Sequence, residues 1–440
     1  QSGLAWVVNA YLIAFGGLLL LAGRVGDLLG RKRVYIVGLA IFTGASVLCG
    51  LSFAQPMLIG ARFVQGVGGA VSSAVILAMI VTLFPEPLER AKAFGVFSFV
   101  ASAGAAVGLL AGGLITQAVS WHWIFFVNLP IGVITAIAAV RLLDSDRGIG
   151  LGQGADVLGA IMVTAALMLG VYTIVQTSDY GLGSTRTVAL GGVAVALLGA
   201  FVVRQARGRN PILPLRVFRS RTVAGTNLVQ ALMSTSFFSF FFLGSLDLER
   251  VLGYGPMAIG LAFLPVAIVM ALFSIRFSAQ LINRFGAGSM LVTGQVVAGL
   301  ALAMVGFGPA GANYVAHLLL PMVLLGLGGG LAFPALTIIA MADVHPSEAG
   351  LASGLLNTTG QVGGALGLAV MATLAGSRTL EMVRSGIDVT TALAGGYHLA
   401  WLVGAGIVVI TLAVSGWLLR RQTAAVARPD ESCVGCEAAA

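Results

Sequence analysis

Gly23-Arg-Val-Gly-Asp-Leu-Leu-Gly-Arg-Lys-Arg-Val34 places four basic residues and one acid between two apolar segments, each long enough to cross a bilayer. Gly23, Gly26 and Gly30 permit tight turns and close backbone approach, so the stretch reads as a compact loop from 23 to 34. Arg24, Arg31, Lys32 and Arg33 would hold that loop on the cytoplasmic side. Asp27 is the odd residue among them.

Working outward, 58% of the 440 residues are hydrophobic and 9% are charged. Soluble domains carry about 25% charged residues, so most of this chain has no water to face. Thirteen apolar stretches are long enough to span, at 4–22, 34–53, 57–84, 93–118, 123–143, 155–177, 187–204, 222–245, 257–275, 289–307, 316–341, 352–375 and 399–419. Their apolar residues do not alternate, which excludes a transmembrane barrel. The spans define an all-α polytopic membrane protein.

Alternate connections carry 19 of the Lys and Arg residues against 4 on the opposite side, with Arg62 inside a helix. The bias puts the C-terminal tail, 420–440, in the cytoplasm, and that polar tail is expected to lack fixed structure. The net charge of +8 is therefore largely membrane anchoring, without the single basic face that nucleic-acid binding requires. An odd count of spans would start Gln1 outside, and the stretch before the first span has no initiator Met or signal-type leader. One further helix is therefore expected to precede residue 1 in the full protein. Cys49 lies in an apolar segment, and Cys433 and Cys436 form a lone C-x-x-C pair with too few neighbouring ligands for zinc. Neither a disulfide framework nor a metal site is implied.

The third span reads Leu58-Ile-Gly-Ala-Arg-Phe-Val-Gln-Gly-Val-Gly-Gly-Ala70, with Arg62 and Gln65 one turn apart. An arginine inside a membrane helix costs about 2.5–3.5 kcal/mol on insertion scales and usually faces a cavity on an ion or substrate path. The alternative is snorkelling, because Arg62 lies only a few residues from the outer end of its span. In the fourth span Gly104, Gly108, Gly112 and Gly113 leave one stripe free of side chains, which serves tight helix packing equally well. Asp156 opens the sixth span, where a carboxylate caps a helix N-terminus. Polar residues inside spans, among them Asn9, Asn227, Gln230, Gln295, Asn357 and Gln361, need partners in hydrocarbon and are candidates for lining a cavity. Met233 and the run Phe237 to Phe242 offer an adaptable apolar wall or a lipid-facing surface. Asp247 and Glu249 at the outer end of the eighth span read either as an acidic port for protons or cations, or as solvated residues balanced by Arg250. Asp343 reads as a solvated residue closing the eleventh span. Scattered His122, His317, His345 and His398, no G-x-S-x-G and no Walker loop argue against an enzyme and against ATP drive within this chain.

Taken in order, the basic loop, the Arg62 helix, the glycine stripe and Ser120-Trp-His-Trp-Ile-Phe-Phe-Val-Asn-Leu-Pro130 resemble the major facilitator superfamily. The likeness extends from Trp6 through Gly253-Tyr254 to Leu355-Leu-Asn-Thr-Thr-Gly-Gln361, and is greatest to the fourteen-spanner branch of drug:proton antiporters. The resemblance implies two six-helix halves, 1–143 (lacking its first helix) and 222–419, rocking about a central cavity, with two extra helices and a linker at 144–221. It assigns Gly23, Asp27, Gly30 and Arg31 to a conformational latch, Arg62 and Gln65 to proton coupling, and the four glycines to an antiporter stripe. It implies a monomer in the cell membrane that exports lipophilic drugs or antibiotics, cationic ones among them, driven by protons with no cofactor. An importer of a small metabolite with the same fold is the alternative. Four departures stand out: the branch's acidic first-helix motif is absent from these residues, Leu109 replaces a common proline, Asn283 replaces the acid in a second copy of the latch at Ser278 to Gly286, and Asp247 and Glu249 stand where tyrosine and glutamine are usual.

Overall fold

The computed structural model describes residues 2–84, 86, 89, 100, 104, 108, 111–144, 148, 156–181, 183–208, 211, 213, 215–309, 314–342 and 349–426. Twelve long helices organise them: α1 (Ser2–Leu29), α2 (Arg31–Gly50), α3 (Gln55–Leu83), α4 (Asn128–Leu142), α5 (Val157–Tyr180), α6 (Thr185–Arg207), α7 (Arg221–Arg250), α8 (Pro256–Leu272), α9 (Ala287–Gly306), α10 (Leu319–Ala342), α11 (Ala349–Arg384) and α12 (Val389–Val426). Among the described residues eleven helical stretches are long and apolar enough to cross a membrane, and α1 adds a shorter apolar stretch at Trp6–Leu19. Most of the expected fourth span lies outside the described residues, as do Leu109, Asp343, His345, Cys433 and Cys436. The helices start where the sequence offers caps: Asp156, Ser184 and Ser220 each accept a hydrogen bond from the backbone three residues on, and proline opens α8. Ile134, Ile137 and Leu142 of α4 and Val195 of α6 are exposed, as lipid-facing residues should be.

The expected loop at 23–34 is a correction. Residues 23–29 continue α1, and the turn into α2 is the single residue Gly30, at φ 94°. Val25, Leu28 and Leu29 sustain the helix through the glycines, and only the left-handed backbone that glycine tolerates ends it. The second half repeats the device: the short helix Ser278–Phe285 stops at Gly286, φ 83°, and α9 begins at Ala287.

The repeat extends to helix crossings. Eight residues beyond these turns lie Gly38 and Gly294. Gly38 meets α3 where Gly68 lies against Phe42 and the Gly38 carbonyl, and Gly294 meets α10 at Gly328. A Cβ on Gly294 would come within 2.6 Å of the Gly328 carbonyl oxygen, and one on Gly328 within 2.6 Å of that of Gly294. Two residues before each partner, Gly66 packs on Tyr11 of α1 and Gly326 on Val266 of α8. Small residues at these points let the backbones touch, which is how membrane helices gain dispersion contact without a hydrophobic drive.

Between the halves, α1 packs along α11, and α5 lies over both. Leu12, Ile13, Leu167, Val171, Ala365 and Ala369 form the buried seam, and the Trp6 and Tyr172 rings meet at 6.4 Å. Asp156 ties the insertion together, accepting from Arg204 and Gln205 of α6 at 2.7 Å each.

Candidate functional site

Arg62 of α3 points into the first half, so of its two sequence readings the interior one describes its position. Its Nε donates to the Val7 carbonyl at 3.1 Å and Nη1 to Gln65 Oε1 at 2.7 Å, while the guanidinium lies 4.4 Å from the Tyr11 ring centroid. Gln65, buried, passes the connection on through Nε2 to Ser46 Oγ of α2 at 3.1 Å. Ser46 also accepts from Asn128 Nδ2 of α4 at 2.9 Å and donates to the Phe125 carbonyl at 2.9 Å. Cys49 directs its thiol to Gln65 Oε1 at 3.8 Å. Hydrogen bonds thus join α1, α2, α3, α4 and the turn before α4, and no described carboxylate takes part.

The repeat gives this network its meaning. Arg62 stands four residues before Gly66, as Met322 stands before Gly326; Gln65 corresponds to Leu325; Ser46, eight beyond Gly38, corresponds to Leu302. Met322, Leu325 and Leu302 are all at most 1% exposed in the core of the second half. One helix frame is therefore filled with apolar side chains in one half and with a charged, hydrogen-bonded cluster in the other. The frame itself does not need the cluster. Sequence reasoning found Arg62 and Gln65 from their one-turn spacing but missed Ser46, Asn128 and Tyr11. Aligning the two copies on Gly38 and Gly294 would have exposed Ser46.

At the latch, Gly23 lies 4.0 Å from Ala74 measured from a built Cβ, and Gly30 forms the turn. Arg31 is half-buried and engaged, while the side chains of Asp27 and Arg24 lie outside the description. Lys32, unremarked among the basic residues of the loop, caps α4, donating from Nζ to the carbonyls of Val140 at 2.9 Å and Leu143 at 2.5 Å. In the stripe, Gly104, Gly108 and Gly112 meet nothing within 4 Å among the described residues, whereas Gly113 packs closely, its Cβ position 2.6 Å from the Pro256 oxygen and 3.0 Å from the Met257 Cα of α8. Gly113 belongs to the first half and α8 to the second, so this is a direct contact between halves.

The cavity candidates scatter. Asn9 is fully buried with neither amide atom partnered, on the α1 face that carries Leu12 and Ile13 toward α11. Gln361 packs its Cβ on Gly16 and leaves Oε1 without a partner. Asn227 donates to the Val223 carbonyl at 2.8 Å and accepts from Thr359 Oγ1 at 2.9 Å. Gln230 donates to Ser234 Oγ at 3.3 Å, and Asn357 is exposed. Met233 lies within a packed cluster with Val229 and Leu331 and faces Gln295 Nε2. Phe237 and Phe240 lie in the second half's core, the former edge-on to Phe333 at 5.1 Å. Asp247 is 7% exposed, whereas Glu249 and Arg250 are exposed. Among the described residues no group of three or more His, Cys, Asp or Glu side chains has the arrangement of a metal site.

Apolar spanning helices, a helix frame repeated in two copies and the hydrogen-bonded cluster around Arg62 fit a polytopic membrane protein of the transporter class. More narrowly, the chain belongs to the Major Facilitator Superfamily, whose model matches residues 1–368. It is 37% identical over 420 residues to the puromycin resistance protein pur8 of Streptomyces alboniger, covering 94% of this chain and 83% of that one. It is 38% identical over 381 residues to the cephamycin export protein CmcT of Amycolatopsis lactamdurans, covering 86% and 78%. To the tetracenomycin C resistance and export protein of Streptomyces glaucescens it is 32% identical over 374 residues, covering 85% and 69%. The fold resembles that of the POT family transporter PepTSo, with TM-score 0.66 at 16% identity over 96% of this chain and 90% of that one.

Proposed function

We propose that the chain exports hydrophobic drugs or antibiotics in exchange for protons, by alternating access of the two halves and with its C-terminus in the cytoplasm. The carrying observation is the placement of Arg62, Gln65 and Ser46 where the second half has Met322, Leu325 and Leu302, since a cost of this kind in a membrane interior is kept for function. The relatives' printed resistance and export activities support antibiotic export, and the lysine and arginine bias supports the orientation.

In this reading Arg62 is a coupling residue and not the proton carrier, because a guanidinium does not release its proton. Its charge favours the ionised form of any carboxylate that approaches and disfavours a second cation, so proton binding elsewhere and cation binding nearby become linked. Gln65 and Ser46 hold the guanidinium in one geometry, and Tyr11 covers its face. The gradient supplies the energy, so no cofactor is required, and a single chain suffices.

The test is efflux of ethidium from energised cells expressing the full-length gene, with a protonophore control and an Arg62→Ala variant. Protonophore-sensitive efflux that the variant loses is the expected result. Wild-type coupling retained in the variant would reduce Arg62 to packing, and efflux indifferent to the protonophore would reject proton drive.

A further inference from the structure

A proton-driven cycle needs a group that takes up and releases protons, and the Arg62 network contains no described carboxylate. Among the described residues the buried acids are Asp156 and Asp247. Asp156 is occupied, accepting from Gly159 N at 2.9 Å, Arg204 Nε at 2.7 Å and Gln205 Nε2 at 2.7 Å. Asp247, 7% exposed near the end of α7, receives none of the hydrogen bonds or ion pairs among the described residues at its carboxylate.

The second half carries further buried polar groups on α12 and its neighbours. Tyr397 of α12, fully buried, lies within electrostatic reach of Asp247, Glu249 and Arg250. One turn on, Trp401 is 2% exposed and its indole N–H has no partner. The His398 ring lies 5.7 Å from Trp401 and 6.3 Å from His317, whose Nε2 is also buried without a partner. Burial pushes the His317 imidazole pKa down, with the Val305 carbonyl acting in the opposite sense. The Tyr254 and Tyr314 rings meet at a tilt, 6.4 Å apart, beside the second half's core. On α11, Arg378 and Glu381 pair with each other at 2.7 Å, and the Asp388 carboxylate accepts from Thr390 and Thr391 at the start of α12.

Asp247 is also mechanically placed. Its carbonyl accepts from Val251 N at 2.9 Å and Leu252 N at 3.1 Å, and Tyr254 N donates to Leu248 at 2.8 Å, folding the turn that leads through Gly253 (φ 69°) to Pro256. Pro256 and Met257 are the surface on which Gly113 of the first half seats.

We propose that Asp247 is a proton-binding site that controls this contact between the halves. With one proton bound, the neutral carboxyl suits its largely buried place within reach of Tyr397 and the turn seats Pro256 against Gly113. With the proton released, the carboxylate seeks water, because an unpaired buried charge is costly, and the end of α7 and its turn loosen. Each uptake is one proton from outer water onto one carboxylate, with no other reactant. The assignment of this end to the outside rests on the orientation proposed above.

The experiment is amide hydrogen exchange at Val251, Leu252 and Tyr254 in the full-length protein in lipid nanodiscs between pH 5 and 8, corrected for intrinsic rates. Wild-type protection should fall at least about tenfold as pH rises, about 1.4 kcal/mol of opening. Asp247→Asn should stay protected throughout, and Asp247→Glu and His317→Gln should keep the fall. A wild-type profile without change, an unchanged fall in Asp247→Asn, or its loss in His317→Gln would overturn the proposal. Exchange reads the switch whether or not protons drive transport, so protonophore-insensitive ethidium efflux with an intact exchange switch would reject the proposed function alone.

Discussion

Giving the first half the residues of its repeat partner separates structure from function. In Arg62→Met the guanidinium loses its bonds to Gln65 at 2.7 Å and Val7 at 3.1 Å, each charge-assisted and worth about 1.5–3 kcal/mol, and a cation–π contact at 4.4 Å worth about 1 kcal/mol. Removing the charge from the membrane interior returns about 2.5–3.5 kcal/mol, and adding Gln65→Leu removes the amide left short of a partner. The balance is a loss of about 0.5–4.5 kcal/mol, and the double variant, which also gives up the bond from Gln65 to Ser46, should stay in that range, a shift in melting temperature of no more than about 10 °C. Export behaves differently. If the guanidinium acts in the coupled step, its loss removes at least one charge-assisted bond from that step, and coupled efflux should fall about 10- to 100-fold. Thermal stability in detergent and efflux in energised cells, both on the full-length protein, give the two readings. Wild-type coupled efflux in the double variant would refute the functional role, and a melting temperature lowered by more than about 10 °C would show that the network holds the fold.

Three further outcomes follow from local geometry. Gly30→Ala forces alanine to φ 94° and should cost about 1–2 kcal/mol by thermal melting, whereas Gly44→Ala, with nothing within 4 Å, should be neutral or slightly stabilising; equal effects would refute the strain argument. Burial opposes charge on Asp156, but the Gly159 amide, Arg204 and Gln205 outweigh it and hold its pKa below the usual carboxylate range; its contribution is thus full above about pH 4 and lost as pH falls through the lowered folded value. Asp156→Ala should accordingly melt earlier by about 1–2 kcal/mol at pH 6, chiefly from loss of the cap, with the gap to wild type closing toward pH 3; a constant gap would contradict it. Gly113→Leu cannot seat against Pro256, so labelling of a cysteine at Met257 by a membrane-impermeant thiol reagent should rise severalfold, and unchanged labelling would deny that contact.

Spans and charge bias were legible because bilayer thickness imposes about 20 apolar residues on any helix that crosses it. Arg62 and Gln65 were legible together because a helix puts residues three apart on one side. Ser46 and Asn128 were not, since their meeting with Gln65 depends on how α2 and α4 pack, and no spacing within one helix encodes that. The loop expected at 23–34 failed for a related reason: glycine and charge marked it as irregular, yet only at Gly30 does the backbone leave the helix. Met233 and the phenylalanines of α7 show the limit of composition, because a run apolar on every side does not say which side faces lipid, cavity or core. Asp247 was visible as an acid at a helix end, but its burial within electrostatic reach of Tyr397 needed the fold.

Proton exchange itself is tested most directly in everted membrane vesicles carrying the full-length protein, with a fluorescent pH-gradient dye reporting the response to added ethidium. Antiport requires that ethidium partly collapse the gradient in proportion to its own uptake, and that Arg62→Met with Gln65→Leu abolish the response. Ethidium uptake that leaves the gradient untouched would contradict the account.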